Sequence, residues 1–195
     1  MAAVNSTMLE LGTKAPDFKL KDTNGNLISR DDFKGKKGLL VAFWCNHCPY
    51  VKHIRDHFVV LAGDWMNRGV DVVAIMSNDA DNYPADSPEM MKEEVDKFSY
   101  GFPYLYDETQ EVAHAYKAAC TPDFFLFDED HKLVYRGQFD ASRPKNASPV
   151  TGADMARAID QLLDGNAIPE EQTPSIGCNI KWKPGNEPTY FSNNK

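Results

Sequence analysis

A chain of 195 residues, 42% hydrophobic and 11% aromatic, is long enough to bury a sizeable core and is expected to form one main domain. Its 29 acidic residues against 21 basic ones give a formal net charge of −8, which argues against a nucleic-acid or anionic-membrane surface, because those need clustered positive charge. No apolar run approaches the ~18 residues of a membrane span.

The first residues, Met1 to Met8, lack the basic and long apolar regions of a secretory signal, so a cytoplasmic location is expected. Stable structural disulfides are uncommon there. The four cysteines, Cys45, Cys48, Cys120 and Cys178, therefore read as catalytic, redox-sensing, metal-binding or simply buried.

After an irregular lead-in over residues 1–12, apolar and polar residues alternate from Phe18, which suggests a short strand. The Asn24-Gly25 turn signal makes Leu27-Ile28 its hairpin partner, and residues 29–33 read as a helical turn. Residues 39–44 are continuously apolar, as in a strand buried on both faces of a sheet. From Val51 the apolar spacing Val51, Ile54, Phe58, Leu61 predicts a helix with one buried stripe, ending near Gly69. Residues 70–76 form a second core strand, and 77–87 a polar loop. Ser87-Pro88 is an N-cap and N1 pair opening a helix to Phe98. Residues 102–106 are extended, and Asp107 caps a helix to about Lys117. Residues 121–128 and 132–137 pair as strands. Thr151-x-x-Asp154 opens a last helix that ends at Gly165. Residues 166–195 read as an irregular tail packed on the 1–165 domain through Ile176, Ile180, Trp182, Tyr190 and Phe191. The predicted class is α/β: a central mixed sheet flanked by helices, with an N-terminal β-hairpin.

The chemistry-bearing stretch is Phe43-Trp44-Cys45-Asn46-His47-Cys48-Pro49-Tyr50, two cysteines spaced C-x-x-C between a strand and a helix. A cysteine nucleophile must be a thiolate, and a helix N-terminus favours negative charge. If Cys45 capped the helix, Pro49 would fall at N4, where its ring and missing N–H are unfavourable. If Cys48 caps it, Pro49 falls at N1, the preferred proline position. Cys48 is thus the expected nucleophile and Cys45 the resolving thiol. His47 is placed to stabilise a thiolate or to take a thiol proton. A zinc set of Cys45, His47, Cys48 and Cys120 is conceivable, but one C-x-x-C without a second pair argues against a metal. No cofactor is expected. His53 and His57 read as a solvated helix flank. Arg136, Asp140, Ser142 and Arg143 form a polar cluster suited to ordering loops.

Gly12-x-x-Ala15-Pro16-x-Phe18-x-Leu20, Asp22-x-Asn24-Gly25, Phe33-x-Gly35-Lys36, the C-x-x-C after Phe-Trp, and Thr121-Pro122 entering a strand together resemble the thioredoxin-like superfamily. Within it, they are similar to the alkyl hydroperoxide reductase/thiol-specific antioxidant (redoxin) branch. The resemblance covers residues 12–165 and implies a thioredoxin fold, a cis peptide before Pro122, and thiol–disulfide chemistry. It also implies that the Thr121 backbone lies beside the cysteine pair, where an extended substrate could pair with it. A gap-free comparison with the thioredoxin pattern places Cys48 on the nucleophilic cysteine. Val51 falls where the second cysteine would stand, and Ala42 where a buried acid would stand. Cys120 and Cys178 are possible additional redox thiols. Cys178 would pair with Cys48 if the tail folds over the site. The expected partners are a protein or small-molecule disulfide or peroxide and a cellular thiol reductant. The peroxidase signature Pro-x-x-x-Thr-x-x-Cys is absent, which makes thiol–disulfide exchange the first reading. A peroxiredoxin-like peroxidase and a non-catalytic or metal-carrying redoxin are the alternatives.

Overall fold

The structure is a computed structural model that describes residues 3–194. Ten strands and four α-helices alternate along it: β1 (Ala3–Asn5), β2 (Lys19–Asp22), β3 (Leu27–Ser29), β4 (Gly38–Phe43), α1 (Pro49–Asn67), β5 (Val70–Met76), α2 (Pro88–Phe98), β6 (Tyr104–Tyr106), α3 (Glu111–Ala115), β7 (Cys120–Thr121), β8 (Asp123–Asp128), β9 (Leu133–Arg136), α4 (Ala153–Leu163) and β10 (Ile176–Asn179). Seven strands make a mixed sheet in the order β3-β2-β6-β5-β4-β8-β9, parallel at β4–β5 and β5–β6 and antiparallel elsewhere. β1, β10 and β7 form a second, antiparallel sheet.

The continuous apolar run of β4 works because both of its faces are covered. Leu40, Ala42 and Trp44 pack toward α1 and α4 with Phe58, Phe124 and Ile159. Leu39, Val41 and Phe43 pack on the other face with Tyr116, Phe125 and Ile180. The period of two along a strand sends alternate side chains to opposite faces, so each needs its own apolar layer. Helix α1 lays Val51, Ile54, Phe58, Ala62 and Trp65 on the sheet, and the Phe58 ring stacks on Trp44 at 4.9 Å. Leu61, expected in that stripe, is only partly buried, because the buried line continues one position further along the helix through Ala62.

Three local differences from the sequence expectations have physical causes. The lead-in contains β1, and the tail, irregular over most of its length, contains β10. Each is too short to show a period and is held by pairing with the other. Helix α4 is capped by Gly152 rather than opened by Thr151-x-x-Asp154, because Asp140 Oδ2 accepts the backbone N–H groups of Thr151 and Gly152, each at 2.7 Å. Helix α3 is shorter than expected and starts after Gln110. Asp107 caps it across the intervening turn by accepting from Val112 and Ala113 N–H. No helix among the described residues is long and apolar enough to cross a membrane.

Candidate active site

The cysteine loop leaves the C-terminal end of β4 and enters α1. In open α/β sheets, crevices for ligands form at that end of the strands. Cys48 is the N-cap of α1 with Pro49 at N1, the register that suits the proline ring. The chain crosses from β7 to β8 through a cis Thr121–Pro122 bond. The register pair Phe43↔Asp123 sets that crossing immediately beyond the end of β4. Thr121 therefore faces the cysteine loop. Its carbonyl oxygen accepts from Cys48 Sγ at 3.1 Å, and its Oγ1 lies 3.3 Å from Cys45 Sγ.

All four cysteines are free thiols and all are buried. Their environments separate them. Hydrogen bonds from the Cys178 thiol first, then from the Cys45 thiol, hold the Cys48 thiol well below its usual range, helped by the backbone N–H groups of Val51 and Cys178 and opposed by burial. The Thr121 carbonyl favours the protonated form, but it is one acceptor set against four donors that serve only the thiolate. Burial pushes Cys45 well up, reinforced by its bond to Cys48 and by the Asp86 charge. Cys178 is raised because it donates to Cys48, and then by burial. Burial also pushes Cys120 up, and its thiol donates to Pro122 O at 3.5 Å. A thiol held below its usual range at a helix N-terminus, among three thiols that are pushed up, is the arrangement a thiol nucleophile needs.

His47 lies at the site with its ring held by Asp86. Its Nδ1 is 2.6 Å from Asp86 Oδ2, and its ring stacks on Tyr83. Asp86 is fully buried. Besides His47 Nδ1, it accepts from Asn46 N–H, His47 N–H and Asn78 Nδ2. Asp86 thus fixes the backbone of the cysteine loop. The sequence does not single it out, since an aspartate in a polar loop carries no mark of burial. Ligand atoms of Cys45, His47 and Asp86 lie within 4.8 Å of one another. This trio could approach a cation, but both Asp86 oxygens and His47 Nδ1 already serve hydrogen bonds, and three donors fall short of a closed zinc set. The arrangement fits an aspartate–histidine pair beside Cys45. It puts a carboxylate near the site, whereas the β4 position that the thioredoxin pattern gives to a buried acid is Ala42 here.

The remaining predicted residues have structural roles. Arg136 ties loops together through Leu9 O, Gln172 Oε1 and Glu170 O. Asp140 and Arg143 organise the turn that leads into α4. His57 is exposed and His53 partly buried on the flank of α1.

The AhpC/TSA family profile matches residues 11–136. The chain belongs to the AhpC/TSA family. A crystal structure of an uncharacterized conserved protein from Geobacillus kaustophilus is 56% identical and superposes with a TM-score of 0.93, over 95% of this chain and 98% of that one. The thiol-disulfide oxidoreductase ResA of Halalkalibacterium halodurans is 27% identical over 129 residues, spanning 66% of this chain and 68% of that protein. The thioredoxin domain of a thiol-disulfide oxidoreductase from Bacteroides vulgatus, 22% identical, shares the thioredoxin fold with a TM-score of 0.56 over 66% of this chain and 88% of that one.

Proposed function

We propose that this redoxin is a thiol–disulfide oxidoreductase with Cys48 as nucleophile and Cys45 as resolving thiol. The observation that carries the reading is the convergence of donors on Cys48 at the N-terminus of α1, while burial holds Cys45 protonated. The ResA relatives, named as thiol-disulfide oxidoreductases, support the same class.

The Cys48 thiolate attacks one sulfur of a substrate disulfide and expels the other as a thiolate, leaving a mixed disulfide. Cys45 then gives up its proton, and its sulfur attacks Cys48 Sγ and releases the second substrate thiolate. The substrate has gained two electrons and the protein holds a Cys45–Cys48 disulfide, which a cellular thiol reductant opens. His47 Nδ1 lies 2.6 Å from Asp86 Oδ2, which fixes the ring through that nitrogen. Nε2 is buried and has no hydrogen-bond partner among the described residues. We assign His47, whose ring clusters with Cys45 and Asp86, the role of taking the Cys45 proton, with Asp86 stabilising the imidazolium.

Alkylation rates of each cysteine as a function of pH, read by peptide mass spectrometry, test the assignment alongside reduction of insulin disulfides. The Cys48 midpoint is expected far below that of Cys45, and Cys48→Ser is expected to abolish turnover. A lower midpoint for Cys45, or turnover retained in Cys48→Ser, overturns the reading.

A further inference from the structure

The edge of β7 that would receive an extended substrate is already taken. β10 pairs with it in antiparallel register, Cys178 opposite Thr121 and Asn179 opposite Cys120. The approach is unusually close. A Cβ on Gly177 would fall 2.0 Å from Thr121 O and 2.6 Å from its carbonyl carbon, so glycine alone allows the strand to lie against the cis peptide. Cys178 then stands opposite Thr121, whose carbonyl oxygen accepts from Cys48 Sγ at 3.1 Å, and it shares one buried cluster with Cys48.

β10 is held from several sides. β1 pairs with its outer edge. Ser175 Oγ donates to Gly137 O at 2.7 Å, and Ser6 N–H donates to Ser175 O. Beyond the strand, Ile180 N–H reaches Ala119 O. Lys181 N–H reaches Asn78 Oδ1, whose amide in turn donates to Asp86. Cys178 is nearly buried at 4% exposure and Cys48 is wholly so.

We infer that Cys178 is a second resolving thiol for Cys48, carried on a tail strand that lies where a substrate strand would lie. The inference rests on Cys48 being the nucleophile. In the step it describes, Cys48 first carries a mixed disulfide with a substrate disulfide of small size, because β10 leaves no room for a chain along β7. Cys178 then loses its proton, and its thiolate attacks Cys48 Sγ. The Cys48–substrate bond breaks and the second substrate thiol departs with a proton. The product is a Cys48–Cys178 disulfide. Two protein thiols have been oxidised and one substrate disulfide reduced, and β10 is now tied covalently to the N-terminus of α1. Bond formation requires the two sulfurs to close to about 2 Å. Cys45 can attack Cys48 in turn and set Cys178 free, so the two partners share one nucleophile.

The test uses the full chain with Cys45→Ser, and with Cys45→Ala in parallel so that a packing fault in one substitution does not decide the result. Reduced protein is treated with oxidised glutathione, alkylated and digested, and the cysteine peptides are identified by mass spectrometry. A peptide linked through Cys48 and Cys178 is expected in both single variants. In Cys45→Ser/Cys178→Ser, glutathione is expected to remain on Cys48. Glutathione persisting on Cys48 of the single variants, with Cys178 free and alkylated, overturns the inference and leaves the oxidoreductase reading intact. A Cys48 that takes up neither glutathione nor a partner thiol in any variant overturns both.

Discussion

Gly177→Ala adds one methyl group against backbone that cannot yield. No positive φ is involved at this glycine, so the clash is the whole perturbation. A carbon and a carbonyl oxygen rest at roughly 3.3 Å even in favourable C–H···O contacts, whereas the new Cβ would sit 2.0 Å from Thr121 O. β10 must therefore withdraw by more than an ångström. That is enough to break the pairing of Cys178 with Thr121 and to take both Cys178 donors away from Cys48. Losing two or three hydrogen bonds at about 1 kcal/mol each, less the roughly 0.4–1 kcal/mol that alanine gains by stiffening the unfolded chain, leaves a net destabilisation of about 1–2.6 kcal/mol. The effect on Cys48 is more specific. A hydrogen bond to a charged group is worth about 1.5–3 kcal/mol, and a tenfold change in a proton-binding constant corresponds to about 1.4 kcal/mol. The pH midpoint of Cys48 alkylation should accordingly rise by at least about one. Its alkylation rate above the midpoint should also increase, because the covering strand has gone. The measurement is the pH profile of Cys48 alkylation in the two proteins, with urea denaturation for stability. A midpoint and plateau equal to those of the unsubstituted protein would refute the control of Cys48 reactivity by β10.

Two further perturbations address the buried acids. Burial pushes the Asp123 carboxyl up to about 7, well above the usual carboxylate range, and its Oδ1 has no hydrogen-bond partner among the described residues. Because the folded value is the higher one, the stability present below about pH 4 is lost as pH rises toward 7. In Asp123→Asn that loss disappears, so the stability difference between the two proteins should swing by about 4 kcal/mol in favour of the variant between pH 4 and pH 8, at about 1.4 kcal/mol for each tenfold change in proton affinity; a difference independent of pH in denaturant titrations counts against it. Asp86→Asn turns an amide N–H₂ toward Asn78 Nδ2 and His47 Nδ1, both of which the carboxylate now serves. A loss of about 2–4 kcal/mol is expected from charged hydrogen bonds replaced by a donor clash. The Cys45 alkylation midpoint should move down, because the Asp86 charge helps to raise it; an unmoved midpoint would separate Asp86 from Cys45.

What is legible in the sequence is local. Pro49 at N1, with Val51, Ile54 and Phe58 behind it, is enough to start α1 at Cys48, because capping and amphipathic spacing are properties of neighbours. Ser87-Pro88 marks α2 for the same reason. What is not legible depends on partners far along the chain. Asp86 resembles any loop aspartate until Asn46, His47 and Asn78 turn their N–H groups toward it. His47 immediately precedes Cys48 in sequence, yet Asp86 draws its ring to the Cys45 side. The thioredoxin resemblance implies that Thr121 offers its backbone to a substrate; the short β10, with no period to betray it, occupies that edge.

The two partner thiols differ in what the fold must do for each. Cys45 and Cys48 are three residues apart in one loop, and their sulfurs can meet in almost any state of the chain. Pairing Cys48 with Cys178 closes a loop of about 130 residues. By the chain-entropy relation, closing that loop in an unfolded chain costs about 3 kcal/mol more than closing the short one. The long-range pair is accessible only because folding has already met this cost. β1 backs β10, Asn78 fixes the chain at Lys181, and Gly177 permits close contact with Thr121. The second cysteine position of an ordinary C-x-x-C would put the partner on the first turn of α1, fixed by helix geometry. Here that residue is Val51, which contributes only its backbone N–H to the Cys48 thiolate. Both partners therefore come from outside the helix, and the reach of Cys178 is tied to an intact tail strand. Loosening that strand would remove one partner from Cys48 while uncovering the β7 edge for an extended substrate, so the same contact sets both the choice of resolving thiol and access to the nucleophile.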